Sequence, residues 1–361
     1  MSENNHPLSR NEQTVLYHMV RYPDSSDQDI YERIKMKQST YSTIKKKLRE
    51  EGYYHDTYTP ILQHLGCELF VLWYVTLNRK TRTEDRLALT RDSLLAATDV
   101  FTMVSESNQA IILSISKNIA DFVKTSDRLV QLYEKHDFLE SIHYVQFPFD
   151  VSAVFSFFDF APLLNRIFQI EPIEDSIGDV DITSDRVQCK VKHVQMNELE
   201  KKVYLGLIKY PEMSDSVLSE KLDCSRQVLT RIRYRFLEDK LIKKKKIVNL
   251  EKLGFKILSL VHTKYNPLKP LRERQKCVQN TMTLYTPIFS VARYPESVML
   301  VAFRNFEEYK NLHNEYVTFC AERDIIRGDP VTLNLSIPRI HEIKWLVYEP
   351  MVRKILDEMD Q

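Results

Sequence analysis

The chain contains one sequence pattern twice. Residues 10–78 align without a gap on residues 198–266 at an offset of 188 positions, and the register returns, after a one-residue slip near Asn118 and Asn305, towards the end of each copy. A repeat this long far exceeds the unit of a solenoid, so it indicates a duplicated pair of domains. A chain with two copies of one module can do alone what a symmetric homodimer does. Matching segments include Tyr22-Pro23 with Tyr210-Pro211, Ser26-Asp27 with Ser214-Asp215, and Leu65-Gly66 with Leu253-Gly254.

The overall composition excludes several classes of protein. The 361 residues carry a net charge of +1, so any attraction for nucleic acid must come from local patches. The five cysteines are widely spaced and odd in number, which fits a reducing compartment and gives neither a disulfide framework nor a zinc spacing. They are Cys67, Cys189, Cys224, Cys277 and Cys320.

The sequence predicts neither a signal peptide nor a membrane segment. The N-terminal stretch MSENNHPLSR has no apolar core. The longest apolar stretch, Val151 to Phe160, is interrupted by two serines and an aspartate and is too short to cross a bilayer. We therefore expect a cytoplasmic, multidomain protein that binds no membrane.

The first segment of each copy has the pattern of three helices. In copy one, apolar residues recur at helical spacing until Tyr22-Pro23 ends the first helix. Ser26 and Asp29 then form a capping box for a short second helix, and the third helix buries Tyr41, Ile44 and Leu48. Copy two repeats this pattern, which is that of a helix-turn-helix. The stretches after the third helices, Tyr53 to Pro60 and Leu241 to Asn249, suit β-hairpin wings.

The second segment of each copy has the order β-α-β-β-α-β, which is the ferredoxin-like pattern. In copy one we predict strands at 68–76, 100–105, 110–116 and 141–147, with helices at 83–97 and 119–136. In copy two we predict strands at 255–264, 288–293, 297–303 and 331–336, with helices at 271–285 and 306–323. An aromatic-rich helix is expected to close each copy and cap its sheet, around Phe157–Phe160 and Trp345–Tyr348.

These segments together resemble the feast/famine, or Lrp/AsnC-like, regulator family. The resemblance rests on LEKKVYLGLIKYPEMSDSVLSEKLDCSRQVLTRIRYRFLEDKLIKKKKIVNLEKLGFKILSLV in copy two, with Leu65-Gly66 at the matching place in copy one. It implies winged domains that bind DNA and βαββαβ domains that dimerise and often bind an amino acid. Six glycines in the chain do not provide the glycine-bearing loops that cradle such an amino acid, and we predict no cofactor.

The predicted fold class is therefore α+β. It consists of two winged helix-turn-helix domains, each followed by a βαββαβ ferredoxin-like domain, and the resemblance implies that the copies are arranged as a pseudo-dimer. The predicted domains are a winged helix-turn-helix at 1–62, a ferredoxin-like domain with closing helix at 63–170, an acidic linker at 171–194, a second winged helix-turn-helix at 195–250, and a second ferredoxin-like domain with closing helix at 251–361.

The third helix of each copy carries the candidate DNA-binding residues, because a recognition helix turns its outer face to base edges in the major groove. In copy two, arginine and glutamine on that face can pair with guanine and adenine, and a lysine run in the wing can contact phosphates. The copy-two candidates are Arg226, Gln227, Thr230, Arg231, Arg233, Tyr234, Lys243, Lys244, Lys245 and Lys246. The copy-one candidates are Gln38, Ser39, Ser42, Thr43, Lys45 and Lys46. The alternative for both sets is an ordinary solvated helix face.

We therefore predict a sequence-specific DNA-binding transcriptional regulator. Two recognition helices would dock roughly 34–36 Å apart, and because they differ chemically the site should be an asymmetric, imperfect palindrome. The expected partners are double-stranded DNA, with the transcription machinery and further copies of the chain as additional candidates.

The chain is predicted not to be an enzyme. It has no metal-hydrolase motif, glycine-rich phosphate loop or nucleophile elbow. Two alternatives stay open. Certain tetrapyrrole-modifying decarboxylases resemble the same winged-helix and βαββαβ architecture without regulating genes, and the winged domains of a protein-interaction scaffold would bind partners instead of DNA.

Overall fold

The computed structural model of the protein describes residues 7–172 and 194–358. Most of the predicted acidic linker, including Cys189, lies outside the described residues. The chain forms two compact units, each assembled from three segments. Of the described residues, the first unit takes 7–56, 152–172 and 245–338, and the second takes 57–151, 194–244 and 339–358. The predicted domain ranges stay a prediction.

Both predicted three-helix segments are present. The first unit contains α1 (Arg10–Arg21), α2 (Asp27–Arg33) and α3 (Gln38–Glu50), and the second contains α7 (Glu198–Lys209), α8 (Asp215–Lys221) and α9 (Arg226–Glu238). The capping box at α2 forms as predicted, because the Ser26 side chain accepts from the Asp29 amide and the Asp29 carboxylate accepts from the Ser26 amide. In α9 the predicted inward residues Leu229, Ile232 and Phe236 are buried.

The second unit contains a five-stranded antiparallel sheet in the order β12-β3-β4-β2-β5. Its strands are β2 (Leu69–Leu77), β3 (Val100–Glu106), β4 (Gln109–Ser116), β5 (Leu139–Pro148) and β12 (His341–Lys344). Two helices, α4 (Thr83–Ala96) and α5 (Ile119–Lys135), join these strands in the predicted βαββαβ order. The core lies on one face of this sheet, around Trp73, Ile112 and Phe122.

The first unit contains the corresponding sheet, in the order β11-β8-β10-β9-β6. Its strands are β6 (Ser152–Phe157), β8 (Ile257–Lys264), β9 (Phe289–Arg293), β10 (Glu296–Phe303) and β11 (Val331–Ser336). The helices α10 (Leu271–Tyr285) and α11 (Phe306–Ala321) complete the βαββαβ order. In both units the ends of these strands and helices lie within two residues of the predicted ones.

The closing segments differ from the prediction. Each begins with a strand before its helix, and that strand extends the sheet that belongs to the other copy. In the first unit β6, from copy one, pairs with β9 of copy two. In the second unit β12, from copy two, pairs with β3 of copy one. The helices α6 (Ala161–Phe168) and α12 (Glu349–Glu358) follow these strands, so the aromatic residues precede the helices instead of lying within them.

The predicted hairpin wings are wrong. Each predicted wing is one strand, β1 (Tyr54–Pro60) or β7 (Ile242–Val248), and the two strands pair with one another in a two-stranded sheet. In the first unit the Asn249 amide donates to the Tyr53 carbonyl at 2.8 Å, and in the second the Ile61 amide donates to the Leu241 carbonyl at 2.8 Å. Neither seven-residue stretch contains a glycine or an Asn-Gly turn that would fold it back on itself.

The repeated Leu-Gly motif has a backbone cause. Gly66 and Gly254 have φ of 83° and 85°, in the left-handed region that favours glycine. Each follows a turn that leads into the first strand of its βαββαβ segment.

The protein is a mixed α+β structure with antiparallel sheets. None of the helices in the described ranges is long and apolar enough to span a bilayer.

Candidate nucleic-acid face and a buried polar cluster

The outer face of α9 divides into exposed and internally bonded residues. Arg226, Gln227 and Arg231 are exposed, and Tyr234 is 56% exposed. The Asp215 carboxylate of α8, by contrast, accepts hydrogen bonds from two predicted DNA contacts, Thr230 and Arg233. The distances are 2.7 Å from Thr230 Oγ1 and 2.9 Å from Arg233 Nη2.

The outer face of α3 divides in the same way. Gln38, Ser39, Ser42 and Thr43 are exposed. Lys45 Nζ, however, lies 2.7 Å from both carboxylate oxygens of Asp27 on α2. Burial opposes ionisation of Asp27, but the hydrogen bond and charge of Lys45 prevail and lower the pKa of this carboxyl. Lys46 is exposed and lies 3.7 Å from Glu50 in a surface pair.

These two ion pairs are equivalent under the repeat. Asp27 and Lys45 fall on Asp215 and Arg233 at the offset of 188, and each pair joins the second helix to the third. A charge that is already bonded to its own domain is a weak candidate for base recognition. The geometry therefore gives Lys45 and Arg233 a structural role, and Thr230 shares it.

The lysine run of β7 is also partly internal. The Lys246 side chain is 7% exposed and forms an ion pair with Asp56 of β1. Lys245 donates to the Phe157 carbonyl oxygen. Lys243 is exposed and Lys244 half-buried. Only the first two lysines of the run are thus placed to contact phosphates.

The two helix-turn-helix segments also differ in charge. Residues 195–250 contain thirteen lysines and arginines against eight acids, whereas residues 7–62 contain nine against eight. Arg235 forms an ion pair with Glu200 of α7, with 2.6 Å between Arg235 Nη1 and Glu200 Oε1. The positive surface is therefore concentrated in copy two, on the α9 face and at Lys243 and Lys244.

A second polar site was missed by the sequence analysis. It lies in the first unit, on the face of the sheet opposite α10 and α11, where His262 of β8 is 5% exposed. His262 Nε2 lies 2.9 Å from Glu296 Oε2 on β10, and the other Glu296 oxygen accepts from Arg293 of β9. The hydrogen bond with His262 and the charge of Arg293 lower the pKa of Glu296, against the effect of burial. The signal was a histidine at the alternate position of an otherwise apolar strand face, after Leu258 and Leu260.

This His262–Glu296–Arg293 cluster joins a histidine to a carboxylate that ionises readily. Imidazole exchanges protons near neutral pH, so such a pair can serve in general acid–base chemistry. The equivalent of His262 in copy one is Tyr74, which stacks on His143 at 4.8 Å between ring centroids. Within the described ranges, no group of three or more His, Cys, Asp or Glu side chains could hold a metal ion.

Comparison with known proteins identifies the fold. No family model and no curated protein matches the sequence. The solved siroheme decarboxylase NirDL is similar to this chain with 9% identity and a TM-score of 0.51, covering 98% of this chain and 100% of that one. Its complex with an iron-uroporphyrin III analogue gives a TM-score of 0.52, with 97% and 100% covered. The regulator LrpC of B. subtilis covers 39% of this chain, with 16% identity and a TM-score of 0.32.

These matches change one prediction and leave another unconfirmed. The expectation that the chain is not an enzyme is wrong, because a solved structure that is similar to 98% of the chain is an enzyme. The regulator prediction is not confirmed, since the Lrp/AsnC-like structures correspond to about two-fifths of the chain. At this identity the likeness to NirDL establishes a shared fold.

Proposed function

We propose that the chain is an enzyme built on the decarboxylase scaffold, and that it removes CO2 from a carboxylate side chain of a tetrapyrrole. The observation that carries this proposal is the extent of the likeness, which includes all of the solved siroheme decarboxylase and 98% of this chain. The internal bonding of Lys45, Arg233, Lys245 and Lys246 supports it, because a side chain that is bonded within its own domain is less available to DNA.

The His262–Glu296–Arg293 cluster supplies the acid–base chemistry on this proposal. Loss of CO2 breaks the bond between the carboxylate carbon and its neighbour, and the electron pair stays on the neighbouring carbon. That carbon must then take up a proton. His262, 2.9 Å from Glu296, is our candidate for the group that delivers it. Arg293 is a positioning residue, because it acts through its bond to Glu296.

The test is to incubate the purified protein with siroheme under anoxic conditions and follow the product by mass spectrometry. We expect loss of CO2 from the substrate and a change in its visible spectrum on binding. His262→Gln should keep the spectral change and lose most of the turnover, since glutamine donates a hydrogen bond but does not exchange a proton at neutral pH. His136→Gln, which changes an exposed histidine at the end of α5, is the matched control. The proposal is contradicted if the unmodified protein neither binds siroheme nor releases CO2 from it.

DNA binding is a second candidate function, favoured by the exposed cations of α9. Arg226, Gln227 and Arg231 face solvent on a helix whose segment has an excess of five positive charges. We infer that copy two is a helix-turn-helix domain, with the single strand β7 in place of a hairpin wing, and that it contacts double-stranded DNA. On this proposal α3 of copy one is the weaker partner in a pseudo-dimer of ferredoxin-like domains. The transcription machinery and further copies of the chain are additional partners on this proposal.

The salt dependence of DNA affinity tests this second function. Fluorescence anisotropy should show affinity that falls steeply with salt, because phosphate contacts release counterions. Arg226→Ala with Arg231→Ala should weaken binding by about 1–3 kcal/mol per lost base contact, whereas Gln38→Ala should have a smaller effect. Binding that is insensitive both to salt and to the α9 double substitution would point to a scaffold that binds proteins.

A further inference from the structure

Arg274 is a buried cation with two guanidinium nitrogens that have no hydrogen-bond partner. It lies in the second turn of α10, in the first unit, and is 3% exposed. Its Nε and Nη1 atoms are buried without a hydrogen-bond partner. Among the residues that the structure describes, no carboxylate forms an ion pair with Arg274.

Two tyrosine rings define the surroundings of this guanidinium. Its central carbon lies 4.4 Å from the ring centroid of Tyr265 and 5.2 Å from that of Tyr294. The hydroxyls of both rings are held elsewhere, Tyr265 at 2.7 Å from Ser297 Oγ and Tyr294 at 2.7 Å from the Pro267 carbonyl oxygen. The rings therefore contribute cation–π attraction but no anionic oxygen. Burial lowers the pKa of Arg274, as expected for a charge that lacks compensation.

The repeat provides a control for this observation. Arg86, the counterpart of Arg274 at the offset of 188, is also buried, at 5% exposure. Its Nη1 donates to the Asn78 carbonyl oxygen at 2.7 Å, and its Nη2 donates to the Ser107 carbonyl oxygen at 2.8 Å. Copy one thus satisfies both terminal nitrogens with backbone oxygens from its own loops. Copy two keeps the buried arginine without those acceptors.

We propose that Arg274 anchors a binding site for a small oxyanion, a carboxylate or phosphate group, held between Tyr265, Tyr294 and the N-terminal end of α10. A guanidinium presents parallel donors that suit two oxygens of one such group. No side chain caps the N-terminus of α10, so the positive end of the helix dipole adds to the attraction. Arg274 belongs to α10, which packs on the face of the sheet opposite His262, and the inference does not depend on the proposed enzymatic activity.

The experiment is thermal unfolding and calorimetric titration of the full chain with three sodium salts at equal ionic strength. Inorganic phosphate, succinate and chloride serve as probes at low millimolar concentration. We expect phosphate or succinate to raise Tm while chloride does not, and the more effective of the two identifies the chemistry of the group. Arg274→Met should abolish this rise. Arg274→Lys should weaken the titrated affinity about tenfold or more, since lysine keeps the charge without the paired donors.

Arg86→Met is the matched control, because it removes the equivalent arginine from copy one and should leave the anion response intact. The inference fails if the unmodified protein responds equally to all three salts. It also fails if Arg274→Met or Arg274→Lys keeps the full response. Turnover of a tetrapyrrole is measured separately, so failure of the anion site leaves the proposed enzymatic function unaffected.

Discussion

The two helix-turn-helix segments share a skeleton and differ in the surface that they expose. In both, an acid at the start of the second helix is paired with a cation on the third, Asp27 with Lys45 and Asp215 with Arg233. Outside that pair the faces diverge, because α3 exposes glutamine and small hydroxyls where α9 exposes Arg226, Gln227 and Arg231. The repeat therefore preserves this ion pair, whereas the residues of the third helix that face solvent differ between the copies.

The same comparison separates the two strands β1 and β7. At the offset of 188, Asp56 falls on Lys244 and Tyr58 falls on Lys246. In the first unit Lys246 is paired with Asp56, whereas in the second unit Arg233 donates to the Tyr58 hydroxyl. Equivalent strands thus use an ion pair in one unit and a neutral acceptor in the other. Loss of Asp56, the charged partner of Lys246, should therefore lower the free energy of unfolding far more than loss of the Tyr58 hydroxyl.

The largest expected effect is that of Asp56→Asn. The substitution leaves the buried Lys246 without its ion-pair partner, and breaking a buried ion pair in this way costs about 3–5 kcal/mol. Chemical denaturation measures the free energy of unfolding directly. Glu50→Gln, which removes the exposed partner of Lys46, is the matched control and should change that free energy by less than about 0.5 kcal/mol. Equal effects of the two substitutions would contradict the structural role given to Lys246.

The elements of the fold were predictable because their signals are local. Helical spacing, the capping box at Ser26 and the alternation in strands such as β11 place each element from neighbouring residues alone. The Leu-Gly motif likewise reflects a local backbone requirement at Gly66 and Gly254.

Pairing between distant segments was not predictable. The sequence of a strand such as β1 does not indicate whether the strand pairs with the next segment in a hairpin or with β7, nearly two hundred residues away. The same holds for β6 and β12, which join the sheet of the other copy. The internal bonding of the candidate DNA-binding residues was not predictable for the same reason. Helical phase places Arg233 and Lys45 on an outer face, but only the packing of the second helix brings Asp215 and Asp27 within bonding distance.

The next largest expected effect is the difference in stability between the variants Arg86→Met and Arg274→Met. Arg86→Met removes the Arg86 bonds to the Asn78 and Ser107 carbonyl oxygens, and because the Asn78 oxygen keeps its bonds from Thr81, we expect a total loss of about 1–3 kcal/mol. Arg274→Met removes a buried charge that bonds to no acceptor in the described chain, so without added anion it should be neutral or stabilising. Denaturant titration of both variants in chloride buffer measures the difference. A loss of stability in Arg274→Met as large as that in Arg86→Met would show that the two arginines have the same structural role.

The smallest expected effect lies in the two repeated ion pairs. Asp215→Asn should lower the free energy of unfolding by about 1–2 kcal/mol and Asp27→Asn by less than about 1 kcal/mol, because the Asp215–Arg233 side chains are less exposed than the Asp27–Lys45 side chains.

The lowered pKa of Asp27 makes its contribution to stability depend on pH. A depressed folded pKa means that the stabilisation is complete above the ordinary value of 3.8 and is lost as the pH falls below it. Unfolding curves between neutral and acidic pH should therefore converge for Asp27→Asn and the unmodified protein at the acidic end. Curves that stay parallel would mean that Lys45 does not stabilise the charged carboxylate and remains available to a partner.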